Sequence, residues 1–363
     1  MQFQPASPTR AFLDHLSRTQ LAALDDLRRT QADMLDLFGF GVHESAFQTI
    51  ASGPRWTLRH YPGAEAGEPI LLVPAPIRRP YIWDLTPSLS AIGFCRDCQF
   101  DVHLIDWTPP SEGDGHDGIA AYVDGGIAAC AARVAERTGS APFLLGHSLG
   151  GTFAAICCAL HPSLARGLVL LGAPLAFEPG SSRFRDLVVS QAKEELPDGV
   201  VPGALLSQAC TLLSPGLFVW SRWMDAAFSL ADPAAMNTHM RIARWALDEM
   251  SLPAQLVNQI VGWLYREDRF HRGVLSLGGR QIGPSDLRTP VLAVVSAADE
   301  IGPRASIAPF FAAMTANSTH IIEHPAEIGV GLQHLAILAG RRAHAEVWPE
   351  IAAWMNAHAA TGT

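Results

Sequence analysis

The run Phe143-Leu144-Leu145-Gly146-His147-Ser148-Leu149-Gly150-Gly151-Thr152 constrains this chain more than any other. An apolar strand stops at a G-x-S-x-G, and a helix-forming segment begins at once. Such a sequence needs a sharp strand-to-helix turn: Ser148 takes a strained backbone conformation, and Gly146 and Gly150 remove side chains that would collide there. The turn lifts the Ser148 hydroxyl out of the sheet and over the first turn of the next helix. Free N–H groups at that helix end favour a developing negative charge. Ser148 is therefore the candidate nucleophile; the bare pattern alone also fits a serine in an ordinary tight turn. His147 points away from its neighbour and reads as an orienting or packing residue rather than a base.

The surroundings have the rhythm this turn requires. Short apolar runs bounded by turn residues occur at Ile70–Pro74, Phe100–Trp107, Pro142–Leu145, Gly167–Gly172, Pro290–Val295 and Thr319–Ile322. Helical patterns such as Ile119–Arg137 and Thr152–Leu160 fall between most of them. Near-continuous apolar strands alternating with helices predict an α/β architecture, a mostly parallel sheet covered on both faces. The rhythm breaks over 177–287, which is helix-like and holds Leu205, Leu206, Leu212, Leu213, Leu217, Phe218, Trp220, Trp223, Met224 and Phe228. An insertion of that length is too long for a loop and predicts a helical cap. The expected organisation is a helical N-terminal segment (1–55), a first core part (56–176), the cap (177–287) and a second core part (288–363).

Composition narrows the function classes. The chain has 363 residues, 48% hydrophobic and 17% charged, with a net charge of −9 and a mean hydropathy of +0.16. Charge is scarce against the roughly 25% of an average domain, and disorder is excluded by the apolar content. No stretch approaches the roughly 18 uninterrupted apolar residues of a spanning helix, and Met1–Arg10 has no apolar signal core, so the chain reads as soluble and cytoplasmic. Basic residues occur at most in pairs such as Arg78-Arg79 and Arg341-Arg342, which argues against nucleic acid. The six cysteines include one C-x-x-C, Cys95 and Cys98, without a second pair at metal-binding spacing, and read as reduced thiols. Neither a metal nor an organic cofactor is implied. Residues 11–39 carry apolar positions at helical spacing, for docking onto the protein's own core or for contact with a partner.

A serine nucleophile needs a base and a carboxylate, which in this architecture follow in the order Ser, Asp/Glu, His. Asp299 ends the strand-like run from Pro290, where a parallel sheet presents its functional loops; Glu300 competes with it. Four histidines follow. His320 lies inside the last strand and is expected to be buried or sheet-facing, His324 closes that strand, His334 sits in the loop beyond, and His344 comes later. His334 and His324 are the two credible bases. One oxyanion donor is expected from the Leu149 N–H and the other from the loop after the first parallel strand. Pro74 and Pro76 have no N–H, which leaves Ile77, with Ala75 as the alternative.

These motifs resemble the polyhydroxyalkanoate synthase family, especially its shorter catalytic subunits. Val73 to Leu85 resembles its VPxxINxPYxxDL stretch, Phe100 to Trp107 its fDVyLIDW, Leu144 to Phe153 its elbow LLGyCqGGTF, and Leu168 to Pro174 its LVLmGTP. Trp245, Asp248 and Gly273 fall in a segment similar to the end of the family's lid. Gly340 to Ala343 and Val347 to Trp354 resemble its GRxA…VWPxIAxW ending. The resemblance implies an α/β-hydrolase fold with an inserted lid, maps the family's aspartate onto Asp299, and lands its histidine on His334. Two positions depart from the pattern: Ser148 stands where the family has cysteine, and Leu332-Gln333-His334-Leu335-Ala336 replaces a G-G-H-x-G context.

Cysteine suits thioester exchange, whereas serine forms an oxygen ester that water attacks in the usual hydrolase manner. The sequence thus predicts a serine esterase or thioesterase on a synthase-like scaffold, acting on an apolar hydroxyacyl ester, oligoester or acyl thioester, with coenzyme A thioesters among them. Its alternatives are an acyltransferase or polyester synthase using Ser148, and a catalytically weak granule- or partner-binding scaffold. A homodimer or granule contact would run through residues 11–39 or the cap. The cap itself is expected to cover Ser148 and form an apolar acyl pocket.

Overall fold

A computed structural model describes residues 23–63, 67–192, 194–315 and 319–360. Eight strands form its main sheet: β1 (Gln48–Gly53), β2 (Trp56–Tyr61), β3 (Pro69–Val73), β4 (Asp101–Trp107), β5 (Phe143–His147), β6 (Gly167–Leu171), β7 (Val291–Ser296) and β8 (Thr319–His324). Their spatial order is β1-β2-β4-β3-β5-β6-β7-β8. β2 runs antiparallel to β1 and β4, and every pair from β4 to β8 is parallel.

Strands β3, β5, β6 and β7 are buried along their whole length, as expected when helices cover both faces of a parallel sheet. In the elbow helix Leu149–Leu160, every residue after Leu149 is buried. Each large apolar side chain so removed from water contributes about 1.5–3 kcal/mol before chain entropy is counted. The low charge content has a physical cause here, because the central strands and this helix present no face to water.

The sheet starts earlier than residue 56. Gln48–Gly53 is an edge strand with no buried residue, and its polar composition hides it from any search for apolar runs. The N-terminal segment also differs from expectation. A helix spans 23–35, yet of its residues only Ala32 is buried, so it does not dock through an apolar face onto the core. It is held by charges instead: Arg28 pairs with Glu249 at 2.8 Å and donates to the Leu247 carbonyl at 2.7 Å, and Asp36 pairs with Arg244 at 2.6 Å. Residues 11–22 lie outside the described residues.

Between β6 and β7 the chain leaves the sheet. This stretch holds the helices Arg183–Gln191, Gly203–Leu213, Ser221–Ser229, Pro233–Trp245 and Ala254–Gln259. Its aromatic residues do not all turn inward, contrary to the expected pocket lining: Trp220 and Trp223 are 67% and 69% exposed, and Phe228 also faces solvent. Leu217, Ile242 and Trp245 are among the residues that turn inward, as are Phe177 and Phe270. Among the described residues, no single helix is long and apolar enough to cross a membrane.

Candidate functional site

Ser148 joins β5 to the elbow helix with φ 56° and ψ −131°. A left-handed φ at a non-glycine residue costs of order 1–3 kcal/mol and persists only where the surroundings enforce it. Enforcement is visible on both sides. A Cβ at Gly146 would strike the Gly151 backbone, and one at Gly150 would strike the Val73 carbonyl at the end of β3. The Ser148 N–H is tied to the Leu171 carbonyl at 3.0 Å, anchoring the turn to β6. As the first helical residue, Leu149 has an N–H beyond the reach of the helix's own bonds, and it has no protein acceptor.

Asp299, three residues past β7, accepts from His334 Nδ1 at 2.7 Å, with both side chains almost fully buried. A donating Nδ1 leaves Nε2 of a neutral ring as an acceptor, and His334 Nε2 is buried without a hydrogen-bond partner. Burial alone would raise the Asp299 carboxyl. The His334 charge and hydrogen bond, with the N–H groups of Ile301 and Gly302, outweigh it and hold the carboxyl below its ordinary value. Gly172, at the end of β6 with φ +55°, lies against this pair: a Cβ there would stand 3.3 Å from Asp299 Oδ2 and 3.4 Å from His334 Cε1. Since Leu171 binds the Ser148 N–H and Gly172 lies against Asp299 and His334, one strand end brings the three candidate residues together. No hydrogen bond joins Ser148 to His334 Nε2.

His147 completes this cluster from the strand side. Its Nε2–H donates to the His334 carbonyl at 2.9 Å, and the two rings lie 4.8 Å apart. Burial, then the His334 charge, pushes its pKa down to about 3, so it is a neutral prop, as its position suggested.

The other candidates separate. His324 closes β8 and faces the Pro325 carbonyl at 3.0 Å; it makes no bond to Asp299. His320 is exposed rather than buried, because β8 is an edge strand. His344 donates to the Leu338 carbonyl and stacks on Trp348. Glu300 lies 3.8 Å from Arg183 near the surface. Ile77 and Ala75 both sit in the loop after β3 beside the elbow, and the Ile77 carbonyl accepts from Met250 N–H at 3.2 Å. All six cysteines are free, and burial raises the Cys95 thiol, which fits inert thiols.

The segment between β6 and β7 grips both loops that flank Ser148. Tyr81 donates to Asp248 at 2.7 Å, Trp245 Nε1 to the Arg79 carbonyl at 2.8 Å, and Arg78 reaches the Ala246 carbonyl and Ser207. On the other side, Asp225 accepts from the Gly329 and Gly331 N–H groups at 2.8 and 2.9 Å and from His239 Nδ1 at 2.6 Å. Sequence reasoning missed Asp225, His239, Gly172 and Glu327. A lone acid on an amphipathic helix carries no local sign that its partners lie some hundred residues away.

Among the described residues, two groups outside the site have ligand-type side chains close together: His60, Asp101 and His103, and Glu178, Asp268 and His271. In the first, the Arg137 guanidinium already stands 2.9 Å from His60 Nε2. It lies at the opposite end of the sheet from Ser148, and neither group touches the cluster around His334.

The family model described as the alpha/beta hydrolase fold matches residues 81–327, more than half of the chain, and the chain belongs to that family. Within it the protein is polyhydroxyalkanoate synthase-like. It is 26% identical to the poly(3-hydroxyalkanoate) polymerase subunit PhaC of Allochromatium vinosum, over 94% of this chain and 97% of that one. To the subunit PhaC of Haloferax mediterranei it is 28% identical, over 81% of this chain and 60% of that longer one. The solved monoacylglycerol lipase of Paleococcus ferrophilus is similar in fold, with a TM-score of 0.52, 18% identity, and coverage of 84% and 99% of the two chains.

Proposed function

We propose that this protein transfers apolar hydroxyacyl groups through an acyl-enzyme on Ser148. The observation that carries the reading is the buried Asp299–His334 hydrogen bond set beside a serine on a strained elbow. In this reading Ser148 Oγ attacks the acyl carbonyl while His334 Nε2 takes its proton. Asp299 holds the Nδ1–H tautomer and stabilises the imidazolium. The N–H groups of Leu149 and Ile77 receive the oxyanion. The tetrahedral intermediate expels the thiol or alcohol, which leaves with the proton from His334. An incoming hydroxyl then gives its proton to His334 and attacks the ester on Ser148; the second tetrahedral intermediate collapses, breaking the acyl–Oγ bond, and His334 returns the proton to Ser148 Oγ.

The relatives favour transfer to another hydroxyacyl group over transfer to water, since they are named as polymerases. This moves the balance from hydrolysis, the outcome first expected from serine, to a synthase-like acyltransferase. The donor class is an apolar hydroxyacyl thioester of coenzyme A. Residues 177–287 act as the cap, bounded by core parts 56–176 and 288–363. The exposed Leu37, Phe38, Trp220 and Trp223 support an apolar contact of the 11–39 segment or the cap, with a granule surface or a second copy. Hydrolysis stays as the second reading because an oxygen ester is the intermediate that water ordinarily attacks.

Incubation with 3-hydroxybutyryl-coenzyme A, followed by mass spectrometry, tests the reading. Oligoesters that vanish in Ser148→Ala support transfer. Free 3-hydroxybutyrate alone, released at the rate of coenzyme A, would establish hydrolysis instead.

A further inference from the structure

We propose that Asp225, held by His239, is a positioning residue that couples the seating of the cap to the alignment of His334. The inference rests on reading His334 as the general base.

Asp225 belongs to the helix Ser221–Ser229 and is buried with His239. Both its oxygens are engaged: Gly329 N–H on Oδ1, and Gly331 N–H and His239 Nδ1 on Oδ2. The two glycines lie three and five residues before His334, in the loop that leaves β8. Their φ values are +90° and +66°, a backbone that turns successive N–H groups toward one acceptor. Gly329 also sits so close to the helix Pro233–Trp245 that a Cβ would stand 2.6 Å from the Ala235 carbonyl. Cap and loop therefore interlock through backbone as well as through the carboxylate.

The far side of the same loop is braced from within. Glu327 N–H and C=O bond the Gln333 amide at 3.0 and 2.8 Å, and the Glu327 carboxylate accepts from Arg342 and Ala343 N–H. That brace ties the base of the loop to the C-terminal helices whatever the cap does. The middle of the loop has the cap carboxylate as its anchor. Lifting the cap helix removes the acceptor from two buried N–H groups and frees the backbone that sets where His334 meets Asp299. Seating it restores both. The base is then in register only under a closed cap, when apolar substrate has replaced water above Ser148.

Asp225→Asn tests this, because the shape is kept while one amide N–H is set against a loop N–H. Expected are a turnover of a chromogenic acyl ester reduced about 10- to 100-fold, as for displacement of a catalytic group by about an ångström, and a KM changed less than about 3-fold. The far-downfield proton resonance of the His334–Asp299 bond should be lost, with the thermal transition still cooperative. A merely structural role would lower the transition temperature and leave that resonance and the turnover of the folded protein intact, which would overturn the proposal. Should the variant fail to fold, His239→Gln decides, by the same turnover and resonance. A wild-type protein that turns over the ester but has no need of His334 would sink the reading of the base and not the interlock.

Discussion

The His147 imidazole donates to the backbone carbonyl of His334 at 2.9 Å, so the residue before the candidate nucleophile props the backbone of the candidate base. Replacement by phenylalanine keeps the ring and leaves that carbonyl without its donor. The cost of an unmade bond to a buried polar group is about 1–3 kcal/mol. His147→Phe should lower the unfolding free energy by that order and reduce ester turnover about tenfold through a displaced base. Urea titration and steady-state kinetics check it; unchanged turnover in a folded variant would mean that the prop does not matter.

Acid stability follows from buried neutral histidines. The pKa values of His147, His103, His324 and His344 are all pushed down, chiefly by burial. The unfolded chain takes up protons near pH 6.5 while the folded chain resists, down to about 3 for His147. In that window the unfolded state binds more protons, so stability falls as pH falls, at most by about 1.4 kcal/mol per pH unit for each such histidine. The urea midpoint should drop between pH 7 and pH 5, and less steeply in His147→Phe. A midpoint that rises on acidification would contradict the burial of these rings.

Gly172 offers a test of crowding at the pair. Gly172→Ala places a methyl group against Asp299 and His334, in a φ that costs an ordinary residue about 1–2 kcal/mol. The expected result is a modest loss of thermal stability with a larger loss of turnover. Loss of stability alone would show that the methyl group is accommodated without moving the base.

Strands β3, β5, β6 and β7 were legible because full burial leaves a continuous apolar run, as in Leu144-Leu145 or Val294-Val295. Gln48–Gly53 was not, since an edge strand needs no such run. In the sequence the candidate nucleophile Ser148 is marked by its glycines and the candidate carboxylate Asp299 by its strand end. His334 needed the order of motifs around it, because periodicity does not choose among four histidines. The outward aromatics of the cap were misread for a related reason: apolar composition does not say which side of a helix meets solvent. Asp225 depends on contacts made only in the folded chain.

Ser148→Cys separates the chemistry of the nucleophile from that of the site. A thiolate exchanges thioesters more readily than an alkoxide, so the variant should gain coenzyme A release from hydroxyacyl thioesters relative to cleavage of p-nitrophenyl esters. An equal loss on both substrates would show that the elbow tolerates no larger atom.

The most direct test of the central claim is covalent. The wild-type protein treated with a fluorophosphonate, digested and mapped by mass spectrometry should carry one adduct, on the peptide containing Ser148, and labelling should fall by at least about 100-fold in His334→Ala. Absence of an adduct on folded protein, or an adduct on another residue, would contradict Ser148 as the nucleophile.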